Sequence, residues 1–154
     1  IRKERKERKI TMPPIETSVT VDPSPEVTFR RFTTEFASWW PMGSRPLGVP
    51  RSGPIVFEEE EGGRLIHRRK DGEVEVWGTV EAWEPPRRVR FSFHPARPPS
   101  EAQTVEVDFS AENQGTRVTL IHSGWESLGS GGAELREQFD TGWEPVLGRL
   151  ASED

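Results

Sequence analysis

Between Thr104 and Leu150 the apolar positions change period once, and the change separates a hairpin from a helix. Val105, Val107 and Phe109 alternate with Glu106 and Asp108, Gln114-Gly115 marks a turn, and Val118 and Leu120 resume the alternation. That is the two-residue period of a half-buried strand pair. After the Gly/Ser-rich stretch Ser127 to Gly132, residues Leu135, Phe139, Trp143, Val146, Leu147 and Leu150 fall three or four apart. Such spacing lines them along one helical face, which has to lie on the apolar side of the hairpin. Ser130 to Leu150 is expected as the longest helix, with Pro145 removing one of its backbone bonds.

The first half of the chain carries the same two periods. Ile15, Thr17, Val19 and Val21 alternate with polar residues as a first strand that stops at Asp22-Pro23. Ser24-Pro25-Glu26 then reads as a helix start: a hydroxyl for a free backbone N–H, proline at the first helical position, and a carboxylate at the positive end of the dipole. Phe29, Phe32, Phe36, Trp39 and Trp40 keep helical spacing, so the helix is expected to run to about Ser38, with Pro41 closing it and Gly43 to Pro54 forming a loop. Strands follow at Ile55 to Glu60, Arg64 to Lys70, Glu73 to Trp83 and Val89 to Phe93, with Asp71-Gly72 as a two-residue hairpin turn. In the strand from Glu73, Val74, Val76, Val80 and Ala82 fall on one face and Trp77 and Trp83 on the other. A bulge at Gly78 would re-aim one set.

Composition narrows the class. The 154 residues suit one domain, expected over residues 13–154 behind a charged flexible tail at 1–12. Only 32% of the residues are hydrophobic, yet six Trp and eight Phe concentrate apolar area in few places. Net charge is -5, and since Arg2 to Lys9 hold six basic and two acidic residues, the remainder carries about -9. An acidic body whose one basic cluster is a terminal tail argues against nucleic acid as a partner. With no Cys there is no disulfide or thiolate metal site, and no apolar run reaches the length of a signal sequence or membrane span, so a cytoplasmic location is expected.

Chemistry-bearing residues are sparse. His122-Ser123-Gly124-Trp125 gathers an imidazole, a hydroxyl, a flexible position and an indole at the end of the hairpin. Its plainer account is a strand cap whose Trp fills the core. His122 and Ser123 point to opposite faces of a regular strand, which disfavours a nucleophile–base pair. His67, beside Arg68-Arg69, reads as a structural histidine, and Glu58 to Glu61 as a solvated edge that deters strand pairing. His67, His94 and His122 lack metal-ligand spacing, so neither metal nor cofactor is expected.

Six motifs in order carry a resemblance: Ser24-Pro25-Glu26-Val27 with a following Phe; Trp39-Trp40-Pro41; Trp77-Gly78-Thr79-Val80 leading to Trp83-Glu84-Pro85-Pro86; Gly115-Thr116-Arg117-Val118; His122-Ser123-Gly124-Trp125; and Gly142-Trp143 with Val146-Leu147. On these the chain resembles the bacterial branch of the heat-shock-protein-90 ATPase activator homologue family, within the START-like or SRPBCC superfamily. The resemblance implies an α+β helix-grip fold, an antiparallel sheet wrapped around a long C-terminal helix, with a cavity between sheet and helix that in the superfamily holds lipids, sterols, polyketides or other apolar molecules. The expectation is non-catalytic binding of a small apolar or aromatic molecule by a monomer or homodimer. The expected contacts are Trp39, Trp40, Trp77, Phe91, Phe93, His122, Trp125, Phe139 and Trp143, with rings supplying area and His122 the polar handle. Alternatives are an enzyme of the polyketide cyclase or hydrolase kind using the same cavity, and a co-chaperone-like interaction protein.

Overall fold

The computed structural model describes residues 12–36, 55–69, 71–95 and 97–151. The charged tail up to residue 11, Trp39, Trp40 and the expected loop at Gly43 to Pro54 lie outside the described residues. Seven strands form one antiparallel sheet: β1 (Ile15–Val21), β2 (Ile55–Phe57), β3 (Arg64–Arg68), β4 (Val74–Glu84), β5 (Arg88–Phe93), β6 (Gln103–Glu112) and β7 (Gly115–Ser123), in the order β1-β7-β6-β5-β4-β3-β2. Among the described residues, the helices α1 (Pro25–Thr33) and α2 (Gly132–Gly148) pack on the same face. This is the helix-grip architecture, and the other face is wet, with Arg88 bonded to Glu106 and Glu84, and Arg90 to Glu81.

α1 begins as its sequence dictates. The Ser24 hydroxyl accepts from the Val27 N–H at 3.3 Å, Pro25 opens the first turn, and Thr28, Phe29, Phe32 and Thr33 are buried. It ends at Thr33, where the N–H groups of Thr34 and Glu35 both return to the Arg30 carbonyl and open the last turn; the expected end at Ser38 lies outside the described residues. Phe29 and Phe32 meet Phe109 of β6 at 5.2 and 5.8 Å between ring centroids.

β4 departs from simple alternation. Leu65 pairs with Gly78 but Ile66 with Val76, and Val80 pairs with Phe91 but Ala82 with Arg90, so Trp77 and Glu81 are extra residues of two bulges. Each bulge shifts the facing by one, which brings Trp77, Val80 and Trp83 to the helix side together and corrects the expected division of this strand. Gly78 allows the first bulge to form: a Cβ there would collide with the Ser92 carbonyl oxygen.

Two turns are also shifted by one residue. Arg69 N–H bonds the Glu73 carbonyl and Gly72 N–H the Arg69 carbonyl, so Arg69 faces Glu73 and not Val74 as a two-residue turn at Asp71-Gly72 would require, with Gly72 at φ 91°. The last hairpin turns at Asn113-Gln114, with Asn113 at φ 56°, while Gly115 already pairs with Glu112.

Among the described residues α2 is the longest helix, and it passes Pro145 as one element, flanked by 3-10 turns at Trp125–Gly131 and Arg149–Ala151. Its buried stripe is Phe139, Gly142, Trp143, Val146 and Leu147, with Leu135 partly covered. Arg136 fastens its first turns to the segment just before β1 by donating to the Pro13 carbonyl at 2.7 Å, and Arg31 of α1 donates to the Leu150 carbonyl, just beyond α2, at 2.6 Å. Both ends of the gripping helix are thereby held by arginine–backbone bonds.

Candidate functional site

The site is assembled at the end of β7. His122 lies between Ile15 and Val105 on the neighbouring strands, and its side chain is fully buried. Gly124 then takes a left-handed conformation, φ 85°, and turns the chain off the sheet. Trp125 folds back over the imidazole at 4.1 Å between centroids, and its indole N–H donates to the His122 carbonyl at 3.0 Å.

The ring nitrogens of His122 are both engaged. Trp143 Nε1 lies 2.9 Å from Nδ1, and Gln103 Oε1 lies 3.1 Å from Nε2. An indole N–H can only donate, so Nδ1 is the acceptor and the proton sits on Nε2, where it is given to Gln103. Gln103 in turn donates its own N–H to the Glu101 carbonyl at 2.8 Å. The chain of donors and acceptors closes with a neutral imidazole. Burial first, and then the charge of Arg136, push the His122 pKa down from 6.5 to about 3.

Around this hub runs a continuous layer of rings. Trp77 meets Phe93 at 6.4 Å, Phe93 meets Phe91, His122 and Phe139 at 5.8, 6.0 and 6.2 Å, and Phe139 meets Trp125 and Trp143 at 5.8 Å each. Seven of the nine residues expected at the site, Trp77, Phe91, Phe93, His122, Trp125, Phe139 and Trp143, are therefore contiguous between sheet and α2. The other two, Trp39 and Trp40, lie outside the described residues.

Polar members of the same face escape the sequence reading. Gln103 accepts the Nε2 proton of His122, and Glu75, the cross-strand partner of His67, places Oε1 at 3.2 Å from His67 Nδ1 and accepts the Trp77 indole N–H at 3.3 Å. The strand register is the signal that could have revealed both. Among the described residues no three His, Asp or Glu side chains converge as metal ligands, and no helix is long and apolar enough to cross a membrane.

Two open grooves lie elsewhere. One of about 400 Å³ runs between α1 and the β4–β5 turn, past Phe29, Trp83, Pro85 and Pro86. The other, of about 830 Å³, is framed by the polar β6–β7 turn and the end of β1. Neither is lined by a residue of the ring layer.

A sheet that grips one long helix through a layer of aromatic rings defines the helix-grip, SRPBCC-like class. Residues 22–153 match the family described as activator of Hsp90 ATPase homolog 1-like protein, and the chain belongs to that family. Among solved structures it is similar to Txn09, an anthrahydroquino-γ-pyrone synthase complexed with SUM, at 32% identity over 92% of this chain and 96% of that one, with a TM-score of 0.62. It is similar to CalC, a self-sacrificing resistance protein from Micromonospora echinospora, at 25% identity over 90% and 92% of the two chains, TM-score 0.63. The Aha1 dimer from Colwellia psychrerythraea, at 20% identity over 91% and 94% and TM-score 0.64, shares the fold. No curated protein sequence matches the chain.

Proposed function

We propose that this chain binds a planar aromatic small molecule between the sheet and α2, against the layer that includes Trp77, Phe93, Phe139 and Trp143. The observation that carries the reading is the continuity of that layer across both sheet and helix. Rings present large, rigid contact area to a flat ligand and lose little rotamer freedom on binding. Phe91 and Trp125 extend the wall, and Trp39 and Trp40 belong to the same proposed set. His122, with both nitrogens engaged, contributes by fixing Trp143 and Trp125.

A second reading, ring closure or a related reaction on the bound molecule, is favoured by the 32% identity with a synthase whose name specifies a fused aromatic pyrone. Both readings require binding first. Titrating the protein with anthraquinone-2-sulfonate, a flat probe, and following tryptophan fluorescence tests it. The expected result is saturable quenching at one equivalent with a Kd of roughly micromolar order. Quenching that rises linearly without saturation would remove the binding reading.

A further inference from the structure

The groove of about 400 Å³ between α1 and the β4–β5 turn lies apart from the ring layer, and its chemistry follows from which of its polar groups already have partners. Of the four described tryptophans, three donate their indole N–H inside the fold: Trp77 to Glu75, Trp125 to the His122 carbonyl and Trp143 to His122 Nδ1. Trp83 lines the groove, and its indole N–H has no acceptor among the described residues. Its ring is only partly buried, packed edge-on against Phe29 at 5.2 Å between centroids.

The rest of the lining narrows the choice of partner. Pro85 and Pro86 carry no N–H, and the Thr33 and Thr34 hydroxyls are bonded to the Phe29 carbonyl at 2.8 Å and to Glu59 Oε2 at 2.9 Å. Among the described lining residues the Trp83 N–H is therefore the uncharged side-chain donor still open to a ligand, above an apolar floor of rings and prolines. Charge is one-sided. Glu26 and Glu59 have no cationic partner among the described residues, and Glu60 and Glu61 continue the carboxylate run from Glu59. The lining cation, Arg30, is already 3.9 Å from Glu35.

We propose that this groove docks an extended, proline-containing peptide segment of a partner protein, with a basic residue beside the prolines. A polyproline II backbone makes no internal hydrogen bonds, so its carbonyls are open to a donor such as the Trp83 N–H. Its prolines fit aromatic-lined grooves and lose little freedom on docking. The neighbouring basic side chain meets Glu26 and Glu59, with its cation over the face of the Trp83 indole. A flat aromatic ligand would leave both carboxylates without a partner, and an acidic segment would be repelled. The groove is a second site, independent of the binding of an aromatic molecule under α2.

The test follows the Trp83 indole N–H by nitrogen-15 NMR as a capped proline–alanine peptide with an arginine at each end is added. The expected result is a saturable shift of the Trp83 signal, with the indole signals of Trp77, Trp125 and Trp143 unmoved. Trp83→Phe keeps a ring and removes the donor; followed at the Thr34 backbone amide, it should weaken binding roughly 5-fold, the scale of one hydrogen bond. Since a change at Trp83 can disturb its packing on Phe29, a second variant avoids the core: Glu26→Gln with Glu59→Gln, both exposed, should lower affinity by roughly 5-fold and flatten its dependence on salt. A peptide with the same arginines in a glycine–serine chain should bind at least ~10-fold more weakly, because it is not pre-formed as polyproline II. An unmoved Trp83 signal at millimolar peptide overturns the proposal. So does equal affinity for the glycine–serine peptide, which would reduce the site to a non-specific cation contact, or a Glu26→Gln, Glu59→Gln variant that binds as wild type does.

Discussion

Lowering the pH from 7 to 5 is expected to remove about 2 kcal/mol of folding stability through His122 alone. In the folded protein burial, reinforced by Arg136, holds this imidazole neutral down to about pH 3, against an ordinary value of 6.5. Between those values the unfolded chain binds a proton that the native state does not. Stability from this group is therefore complete above about pH 6.5 and falls as the pH drops, by up to ~1.4 kcal/mol per unit. The reason is structural: a proton on Nδ1 would meet the donor Trp143 Nε1–H at 2.9 Å, at a ring buried away from bulk solvent. Urea unfolding of wild type and His122→Gln from pH 8 to pH 5 isolates the effect, since taking the difference removes carboxylates such as Glu58 and Asp108. The wild type should show the steeper loss, and parallel curves would contradict a buried neutral His122.

The second large effect is expected at Gly142, which lies buried on the α2 stripe beside Trp143. Glycine inside a helix costs about 1 kcal/mol relative to Ala, so its place on the gripping face asks for a reason other than helix formation. If the reason is room for a bound ring, Gly142→Leu fills that room. Affinity for anthraquinone-2-sulfonate should then fall more than about tenfold, the scale of ~1.4 kcal/mol. Unfolding free energy should change by less than ~1 kcal/mol, because helix propensity offsets part of the new crowding. If α2 instead rests directly on its neighbours at residue 142, the same change overpacks a filled core and costs roughly 1–3 kcal/mol. A probe titration and a melt on this one variant decide between the two.

Much of this architecture is legible in the sequence because periods of two and of three or four survive in the face that is buried. Phe139, Trp143, Val146 and Leu147 stay on one stripe, and Ser24 caps α1 as its position suggests. What is not legible depends on single-residue shifts. Trp77 and Val80 are three apart and cannot share a face of a regular strand, yet the bulge at Gly78 lets them. The turn after β3 is a second such shift. A two-residue loop at Asp71-Gly72 would pair His67 with Val76, whereas the observed register pairs it with Glu75 and so creates the histidine–carboxylate contact. The aromatic wall could be read from the chain because rings announce themselves by type. Gln103 and Glu75 could not, because a lone glutamine or glutamate gains its role only from the register across the sheet.

The proposed place of the ligand is between the sheet and α2. It is tested most directly by intermolecular nuclear Overhauser contacts in the one-to-one complex with anthraquinone-2-sulfonate. Contacts from the probe to the ring protons of Trp77, Phe139 and Trp143 are predicted. Contacts confined to Phe29, Trp83 and the prolines at 85 and 86, which line the open groove beside α1, would place the ligand outside the grip and contradict the account.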